Sequence, residues 1–475
     1  MDRINVGEVV KATGGKLICG TADAAIESVC MDSRIVSENS LFVAIPGERT
    51  DGHKYLDAAF DKGASCALVS REVDVPNGMA CVLVDDTVYA LQELSRWYMS
   101  ERLSMKKLAV TGSVGKTTTR DLLFAAVSSK YRAGKNNKNF NSDIGLPLTV
   151  LTFDSDMEVG VMEMGTSGGM HEVERLADLV RPDVAIITNI GVSHIEHLGS
   201  RDNILKAKLG IAEYFSAENT LIINANDDKL CSIKESHPKY KIVTVGNVDA
   251  LCDVDYLVKD IKEIGTEGLK FRLCHEEGEY EVELPIPGEH NAINAALAIA
   301  GAGAAGVSVE EAISGMADMT TTGSRLRMIE VGGFRIIDDA YNAAPASMKS
   351  AITTLMHAEG KKKIAMLGDM NELGEESEEM HFGVGRFAAE HDVDVLITVG
   401  EKAAAIAAGA EDALRSKMTA GEKTRTTIIR CEEKAAAYMV LKGIASKGDI
   451  VLVKASRGMA LDELVQRIED DYKGQ

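Results

Sequence analysis

The sequence predicts an α/β protein built from three domains. Its 475 residues exceed the length that one hydrophobic core usually organises, so we expect two or three domains. From about residue 105 onward, short apolar strands alternate with helical stretches, a pattern typical of doubly wound, mostly parallel sheets. A glycine-rich turn between a strand and a helix near residue 112 indicates a phosphate-binding loop. We therefore divide the chain into segments 1–104, 105–322 and 323–475.

The N-terminal segment is predicted to be a small α/β domain. Apolar runs at 40–47, 65–70 and 80–86 predict short strands, and a helical pattern extends from about residue 88 to 103.

The central segment opens with the strand KKLAV at 106–110 and a helix near 116–130. The runs at 159–165 and 184–190 are almost continuously apolar, as expected of strands buried in a parallel sheet. Alternating patterns then predict further strands, extra antiparallel ones among them, and an alanine-rich helix follows. These lie at 241–247, 269–288 and 291–305.

The C-terminal segment repeats the alternation of strand and helix. This repetition predicts a Rossmann-like, doubly wound domain. Its predicted strands are FRIIDD (334–339), KKIAMLGD (362–369), VDVLITVG (393–400) and DIVLVKAS (449–456).

Charge and composition exclude several classes of function. The net charge is −21 and no basic stripe interrupts it, which argues against a nucleic-acid partner. No apolar run reaches the roughly 18 residues that a membrane helix needs, and the N-terminus has no signal-peptide pattern. The eight cysteines are scattered without metal-site spacing. We therefore expect a cytoplasmic protein with reduced thiols rather than a disulfide framework.

The turn TGSVGKTT (111–118) is the strongest chemical signal in the chain. Glycines allow backbone N–H groups to surround phosphate oxygens at a helix N-terminus. Lys116 is then expected to reach the terminal phosphates, and the Thr117 hydroxyl to bind Mg²⁺. Val110 departs from the full pattern, which has glycine there, so a simple helix-capping turn is the alternative. We predict nucleotide contacts from Gly112, Ser113, Gly115, Lys116, Thr117 and Thr118.

Two further side chains are candidates for a metal site. Glu163 and His194 follow apolar strands and should emerge at the carboxyl edge of the sheet, where open α/β sheets bind ligands. The spacing of His194, Glu196 and His197 matches no zinc-protease pattern, so a phosphate-bound Mg²⁺ is the better interpretation. Lys206 and Lys208 lie on a predicted helix starting near residue 201, and periodicity alone gives both a solvent-facing position.

Seven motifs, in order, resemble the Mur ligase family. The resemblance covers almost the entire chain, and the sequence of motifs is far more specific than any one of them. They are MDSRIVSENSLFVAIPGERTDGHKYLDAA (31–59), TGSVGKTTT (111–119) with EMG (163–165), NIGVSHIEHLGS (189–200), GEHNAINAALA (288–298), DDAYNAAPASM (338–348), LGDMNELG (367–374) and VKASRGM (453–459).

The resemblance implies an ATP- and Mg²⁺-dependent amide-forming ligase of peptidoglycan synthesis. In this family, ATP phosphorylates a precursor carboxylate, and an amine then attacks the acyl phosphate. Lys116, His194 and Lys208 would be catalytic, and Lys208 matches the family's carbamylated lysine. Thr117, Glu163, His194 and Lys208 would form the metal site. Asn291, Asn294, Arg325 and Asp339 would bind the nucleotide, and Ser33, Asp51, His53, Tyr341 and Asn342 the substrates.

Within the family, the C-terminal motifs look like those of the member that adds D-alanyl-D-alanine to UDP-N-acetylmuramoyl-tripeptide. The member that adds the third amino acid carries a DNP-type motif there, which we do not find. Val114 and Ala344 depart from residues common at their positions. We expect a monomer without membrane insertion; the motifs leave open whether the precursor carries lysine or diaminopimelate.

Three rival functions follow from the same motifs. A folate polyglutamate ligase shares the central motifs, but the segment 31–59 argues against it. A GTP-dependent switch would need an NKxD motif, which we do not find. A non-catalytic relative would have little reason to retain the candidate catalytic and metal-binding residues together, which are Lys116, Thr117, Glu163, His194 and Lys208.

Overall fold

The computed structural model of the chain describes residues 1–47, 50–137, 139–236, 238–265, 267–317, 319 and 325–473. Within these residues, each of the three predicted segments contains one main β-sheet flanked by helices. The boundary predicted at 322/323 lies outside the described residues, and the positions of both boundaries stay predictions.

The N-terminal segment forms a mixed sheet in the order β2-β7-β6-β5-β4, in which only the β2–β7 pair is antiparallel. Asp86 caps its long last helix by accepting from the backbone N–H groups of Val88 and Tyr89. The predicted strands and helix are present as β5, β6, β7 and α3, whereas the short strands β1 to β4 were not predicted. The elements are β1 (Ile4–Asn5), α1 (Val6–Thr13), β2 (Lys16–Cys19), β3 (Ala25–Ile26), β4 (Ser28–Cys30), β5 (Ser40–Val43), α2 (Leu56–Phe60), β6 (Ala64–Val69), β7 (Ala80–Leu83) and α3 (Thr87–Arg102).

The central segment forms a larger sheet in the order β16-β15-β14-β13-β12-β11-β8-β10-β9. Strands β8 to β14 are parallel to their neighbours, and β14, β15 and β16 form the expected antiparallel extension. The elements are β8 (Lys106–Thr111), α4 (Lys116–Ser128), β9 (Ala133–Lys135), α5 (Gly145–Val150), β10 (Val159–Glu163), α6 (Glu172–Val180), β11 (Val184–Ile187), α7 (Ile195–Leu198), α8 (Arg201–Leu209), β12 (Thr220–Asn224), α9 (Asp228–Glu235), β13 (Lys241–Asn247), β14 (Tyr256–Glu263), β15 (Leu269–His275), β16 (Gly278–Leu284), α10 (His290–Ala304) and α11 (Val309–Met316).

The C-terminal segment forms a sheet in the order β17-β18-β22-β19-β20-β21, parallel except for the β17–β18 hairpin. The predicted doubly wound domain is therefore correct. Its elements are β17 (Arg327–Val331), β18 (Phe334–Asp338), α12 (Pro345–His357), β19 (Lys363–Gly368), α13 (Ser377–Glu390), β20 (Val395–Val399), α14 (Ala404–Thr419), β21 (Thr427–Cys431), α15 (Lys434–Ile444), β22 (Ile450–Lys454) and α16 (Leu461–Tyr472).

The hydrophobic cores do not follow the three sheets one for one. A single cluster joins the N-terminal sheet to one face of the central sheet, and α3 lies between them. A second cluster fills the other face of the central sheet under α4, α10 and α11. The two faces of the C-terminal sheet have clusters of their own. The N-terminal and central segments are thus more closely integrated than the sequence suggests.

The expectation that the cysteines are reduced thiols is wrong for one pair. Cys231 and Cys252 are bonded, with Cα atoms 6.0 Å apart. The pair lies 21 residues apart in sequence, without a spacing that distinguishes it from chance, so the pattern alone could not predict it. Cys30, Cys66 and Cys81 are free and buried, as expected. Among the described helices, none combines the length and apolarity needed to cross a membrane.

Candidate active site

The site is built at the carboxyl end of β8, which lies between β10 and β11. Val110 is in register with Glu163 at the end of β10, and Thr111 with Ile187 at the end of β11. The chain leaves β8 toward β9 and β10 and later returns on the other side at β11, which makes this edge a topological switch point. Ligands bind at such points in open α/β sheets. Glu163 is therefore at the sheet edge where the sequence predicted it.

Two glycines of the loop after β8 occupy positions that no larger residue fits. Gly112 has φ +147°, and a Cβ there would lie 1.9 Å from Thr188 Oγ1. Gly115 has φ +85° and would place a Cβ 2.9 Å from Asn294 Oδ1. Val110 stands where the full phosphate-loop pattern has glycine. It lies inside β8 with its side chain fully buried, so this substitution leaves the turn intact. Strand, turn and helix α4 form the context that a phosphate loop requires.

Lys116 folds back over the loop at the start of α4. Its Nζ donates to the carbonyl oxygens of Gly112 and Ser113 at 2.8 and 3.1 Å. Burial lowers the pKa of Lys116, with Glu163 opposing that shift and Arg325 adding to it. The ammonium is thus held beside the loop that would surround a polyphosphate.

Glu163 is fixed at every polar atom. Its Oε2 accepts from Thr117 Oγ1 at 2.7 Å and its Oε1 from Asn141 Nδ2 at 2.7 Å. Asn136 bonds both the backbone N–H and the carbonyl of Glu163. Arg120, with a fully buried side chain, lies 3.4 Å from Oε2. The carboxylate can therefore point in one direction only.

Arg120, Asn136 and Asn141 were missed by the sequence reasoning. Arg120 follows a run of threonines on a helix, where a charged residue usually faces solvent. The asparagines fall between elements and carry no periodic signal. Only the fold brings all three to Glu163.

The two lysines of α8 have different environments, which periodicity could not distinguish. Lys206 is exposed, whereas Lys208 is 1% exposed. Burial, reinforced by the nearby Lys116, lowers the pKa of Lys208 well below its ordinary value. A neutral amine is the form that reacts with carbon dioxide, so the environment suits carbamylation.

His194 is the N-cap residue directly before α7, and its backbone is left-handed, with φ +65°. Burial lowers its pKa, and the nearby Glu372 opposes that shift. Its Nδ1 lies 2.5 Å from Oε2 of Glu372, a residue of the C-terminal segment. A neutral imidazole can offer a lone pair to a cation.

The donor set fits a hard divalent cation that is also held by phosphate. No three His, Cys, Asp or Glu side chains gather into a metal site of their own in the described part of the chain. The Thr117 hydroxyl oxygen and Oε2 of Glu163 are adjacent. Mg²⁺ usually combines a few such protein oxygens with substrate phosphates and water. The residues therefore fit a phosphate-bound Mg²⁺ better than a protein-only cage.

A cavity of about 830 Å³ lies between the central and C-terminal segments, over this edge. It brings together most of the predicted residues from both segments. Gly112 and Lys208, which were also predicted, do not line it. The predicted residues that line it are Ser113, Gly115, Lys116, Thr117, Thr118, Glu163, His194, Asn291, Asn294, Arg325, Asp339, Tyr341 and Asn342.

The two asparagines of α10 form one hydrogen-bonded unit beside the loop. Asn294 Nδ2 donates to Asn291 Oδ1 at 2.9 Å, and Asn291 Nδ2 donates to the Pro287 carbonyl at 2.7 Å. Both are buried. Asn294 also contacts Gly115, so the unit is positioned directly against the phosphate loop.

The C-terminal wall carries positive charge. The guanidinium of Arg325 stacks 3.8 Å above the ring of Tyr341. Lys454 belongs to the motif VKASRGM, but the sequence predicted no role for it. It is buried, and its Nζ donates to Asp339 Oδ2 at 2.6 Å and to the Asn342 carbonyl at 2.9 Å. Lys454 thereby fixes the turn that holds Asp339, Tyr341 and Asn342.

Ser33, Asp51 and His53 lie in the N-terminal segment and do not line the cavity. Both ring nitrogens of His53 are engaged, Nδ1 with Asp51 at 2.6 Å and Nε2 with the Ser70 N–H at 3.0 Å. Arg71 and His53 hold the pKa of Asp51 far below its usual range. His53 is therefore placed to brace the loop at 51–53, and Ser33 is partly exposed beside an Asp32–Arg34 ion pair.

Models of Mur ligase domains match three stretches of the chain. The family's catalytic-domain model matches residues 25–96, the Mur ligase middle domain matches 110–302, and the model described as "Mur ligase, glutamate ligase domain" matches 324–457. A UDP-N-acetylmuramoyl-tripeptide--D-alanyl-D-alanine ligase of Bacillus subtilis is 38% identical over 97% of both chains. The Escherichia coli enzyme of that name is 30% identical over 95% of each.

The chain belongs to the Mur ligase family. Solved structures agree with this Mur ligase over its full length. MurF from Acinetobacter baumannii superimposes with a TM-score of 0.85 at 29% identity, covering 99% of both chains. MurF from Thermotoga maritima, solved in complex with ADP, has a TM-score of 0.77 at 26% identity and covers 94% of this chain and 98% of its own. The three-domain architecture is therefore correct.

Proposed function

We propose that this Mur ligase joins D-alanyl-D-alanine to UDP-N-acetylmuramoyl-tripeptide at the expense of ATP. The observation that carries the proposal is one cavity that combines a phosphate loop, a fixed carboxylate and a cationic wall from a second domain. Near full-length similarity to ligases of that name supports the choice of substrates. The products are UDP-N-acetylmuramoyl-pentapeptide, ADP and phosphate.

In the first step the precursor carboxylate attacks the γ-phosphorus of ATP, and ADP leaves with the bridging oxygen. Two anions must meet, so cations have to neutralise their charge. Lys116 and the N–H groups of the turn are positioned to hold the phosphates, with Asn291 and Asn294 beside the nucleotide. Bound Mg²⁺ would add further positive charge at the γ-phosphate and would be held by Thr117, Glu163 and His194.

In the second step the amine of the dipeptide attacks the acyl carbon. Phosphate leaves and the nitrogen loses a proton, which yields the amide. The acyl phosphate hydrolyses readily, so the cavity must exclude water while the amine enters. Arg325, Asp339, Tyr341 and Asn342 form the C-terminal wall on that side, and we propose that they contact nucleotide and dipeptide.

We propose that Lys208 is carbamylated and that its added carboxylate joins the metal site. Its burial and its lowered pKa support this assignment. In ¹³C-bicarbonate, the protein is expected to show a carbamate carbon resonance that Lys208→Ala lacks. Lys206→Ala, on the exposed face of the same helix, should keep the resonance. Its persistence in Lys208→Ala would assign the carbamate elsewhere.

We propose that the N-terminal segment holds the uridine end of the precursor near Ser33 and the 51–53 loop. Because His53 uses both ring nitrogens internally, we assign it to shaping that loop, and Asp51 and Ser33 to its surface. We propose that the protein acts as a monomer, because residues of one chain line the cavity. A reaction of ATP with a uridine-nucleotide precursor is best placed in the cytoplasm.

The function is tested by phosphate release from ATP with UDP-N-acetylmuramoyl-tripeptide, in the lysine and diaminopimelate forms. Release is expected with D-alanyl-D-alanine and not with single L-amino acids. Lys116→Ala should abolish it, whereas Lys106→Ala, an exposed lysine at the start of β8, should not. Release with UDP-N-acetylmuramoyl-dipeptide plus lysine or diaminopimelate would instead identify the ligase that adds the third residue. Ordinary turnover by Lys116→Ala would refute the role of the phosphate loop.

A further inference from the structure

The segment LGDMNELG (367–374) has no part in the function derived above, although it reaches the metal site from another domain. It follows β19 and crosses to the loop that begins α7. His194 Nδ1 lies 2.5 Å from Glu372 Oε2, and the backbone N–H of Glu196 donates to the Glu372 carbonyl at 3.4 Å. Two independent contacts thus join this segment to the loop that carries His194.

The segment is rigidly attached to the C-terminal domain. Asp369 Oδ1 accepts from the Ala403 N–H at 2.7 Å, and the Met370 N–H donates to His381 Nε2 at 2.9 Å. The Asn371 N–H donates to Ser456 Oγ at 2.8 Å. Since three consecutive residues are fixed in this way, the position of Glu372 follows that of the whole domain.

The two residues that meet are both strained. Glu372 has φ +63° and His194 has φ +65°, a region that residues other than glycine seldom adopt. Such a conformation is unfavourable by itself and persists where the surroundings enforce it, often at functional sites. Here the strain lies on both sides of one interdomain contact, at a residue already assigned to the cation site.

A carboxylate on one ring nitrogen of a metal-binding histidine has a defined effect. It fixes the proton on that nitrogen, orients the ring and leaves the lone pair on the other nitrogen for the metal. Glu372 Oε2 lies within ion-pair distance of His194 Nδ1, although not in hydrogen-bonding geometry. Its negative charge favours the proton on Nδ1, so Nε2 is the nitrogen that remains for a cation.

We propose that Glu372 is a positioning residue that orients His194 for the divalent cation, and that it does so only when the C-terminal domain is packed on the central domain. The inference rests on the metal site of the proposed function and deepens it. Cation binding and domain packing then favour each other to the same degree, because such coupling is reciprocal. The cation site would thus be complete only when the wall that contacts the dipeptide is in place.

A purely structural role predicts a different result. The Glu372 side chain is 44% exposed, and a partly exposed ion pair contributes little to stability. Loss of the pair should therefore leave the melting temperature nearly unchanged, whereas loss of a positioning carboxylate should weaken metal binding about 10-fold or more.

The test measures Mn²⁺ binding to the full-length chain by electron paramagnetic resonance, with a non-hydrolysable ATP analogue present. Glu372→Ala is expected to bind Mn²⁺ about 10-fold more weakly than the wild type, and Glu372→Gln to a lesser extent because its amide keeps an oxygen beside Nδ1 but not the charge. Glu376→Gln is the matched control, since Glu376 is exposed two residues after this segment. Small-angle scattering should show Mn²⁺ compacting the wild type more than Glu372→Ala.

Equal Mn²⁺ affinity in the wild type, Glu372→Ala and Glu376→Gln would overturn the inference and leave the ligase assignment standing. Equal compaction by Mn²⁺ in the wild type and Glu372→Ala would overturn the link to domain packing. A wild-type chain that binds no Mn²⁺ would overturn the inference together with the proposed metal site. The ligation assay with D-alanyl-D-alanine decides the proposed function separately.

Discussion

Individual residues of the site were predictable where they ended a recognisable strand or belonged to a compact motif. Glu163 follows an apolar run, and parallel strands present their carboxyl ends at one edge, so its position followed from the pattern. Lys208 could not be distinguished from Lys206 by periodicity, because the two differ in burial and not in spacing. Burial depends on what packs over α8, which a single helix does not encode.

The buried pair Arg120–Asp121 provides a prediction at the residue scale. Arg120 Nη2 donates to Asp121 Oδ1 at 2.7 Å, and Lys135 contacts the same oxygen at 2.7 Å. Replacing Arg120 by Met leaves buried carboxylates without the guanidinium, which costs about 3–5 kcal/mol for a buried pair. Because Lys135 remains with Asp121, we expect a loss of about 3 kcal/mol in the free energy of unfolding.

Urea unfolding checks this value, with Arg132→Met as the control. Arg132 pairs with Asp154 and Asp156 at the surface, so its loss should change stability by about 1 kcal/mol or less. Equal effects of the two substitutions would mean that burial does not set the contribution of Arg120.

At the scale of elements, strands and long helices were predicted more reliably than the ways in which they pack. The pattern at 269–288 predicted antiparallel strands, and the structure contains the β15–β16 hairpin there. The close contact between α13 and α14 was not predictable. It depends on Gly385 and Gly409, which in sequence only reduce helix propensity.

The α13–α14 contact predicts that alanine substitutions at two glycines of α13 change stability in opposite directions. A Cβ on Gly385 would lie 1.7 Å from the Ile406 carbonyl oxygen, whereas Gly383 has open space around it. Alanine raises helix propensity by about 1 kcal/mol at either position. At Gly385 the backbone clash should outweigh this gain, with a net loss of about 1–3 kcal/mol.

Gly383→Ala should instead be stabilising by up to about 1 kcal/mol. Thermal unfolding of the two variants provides the measurement. A stabilising Gly385→Ala would mean that α13 and α14 can separate at little cost.

The turn that precedes α13 should depend on pH through His381. This side chain is fully buried; its Nδ1 donates to the Ser377 carbonyl and its Nε2 accepts from the Met370 N–H. Burial lowers the pKa of His381. The unfolded chain therefore binds the proton more readily, and stability should be lost as pH falls below about 6.5, the ordinary histidine pKa.

Urea unfolding at about pH 7.5 and about pH 5.5 brackets that pKa. The loss of stability on acidification should be smaller in His381→Gln than in the wild type. His391→Gln, at an exposed position after the same helix, should behave like the wild type. Identical acid losses in all three proteins would exclude His381 as the source.

At the scale of the whole molecule, the three-domain architecture followed from length and pattern, but the sharing of cores did not. Leu94 and Tyr98 of α3 lie in the same cluster as Leu146 and Val173 of the central segment. Contacts between residues so far apart in sequence leave no periodic trace. The clusters of the C-terminal sheet are built from its own residues, with Val192 as a partly buried neighbour from the central segment.

This organisation predicts two cooperative units rather than three. Leu94→Ala should cost about 2–5 kcal/mol, as is usual for a fully buried leucine. Because contiguous cores unfold together, slow hydrogen exchange should be lost in the N-terminal sheet and also in α5 and α6. Leu396→Ala, an equally buried leucine of β20, should reduce protection in the C-terminal domain alone. If Leu94→Ala reduces protection only in the N-terminal sheet, the shared core does not unfold as a unit. Domain motion in this ligase would then involve all three segments separately.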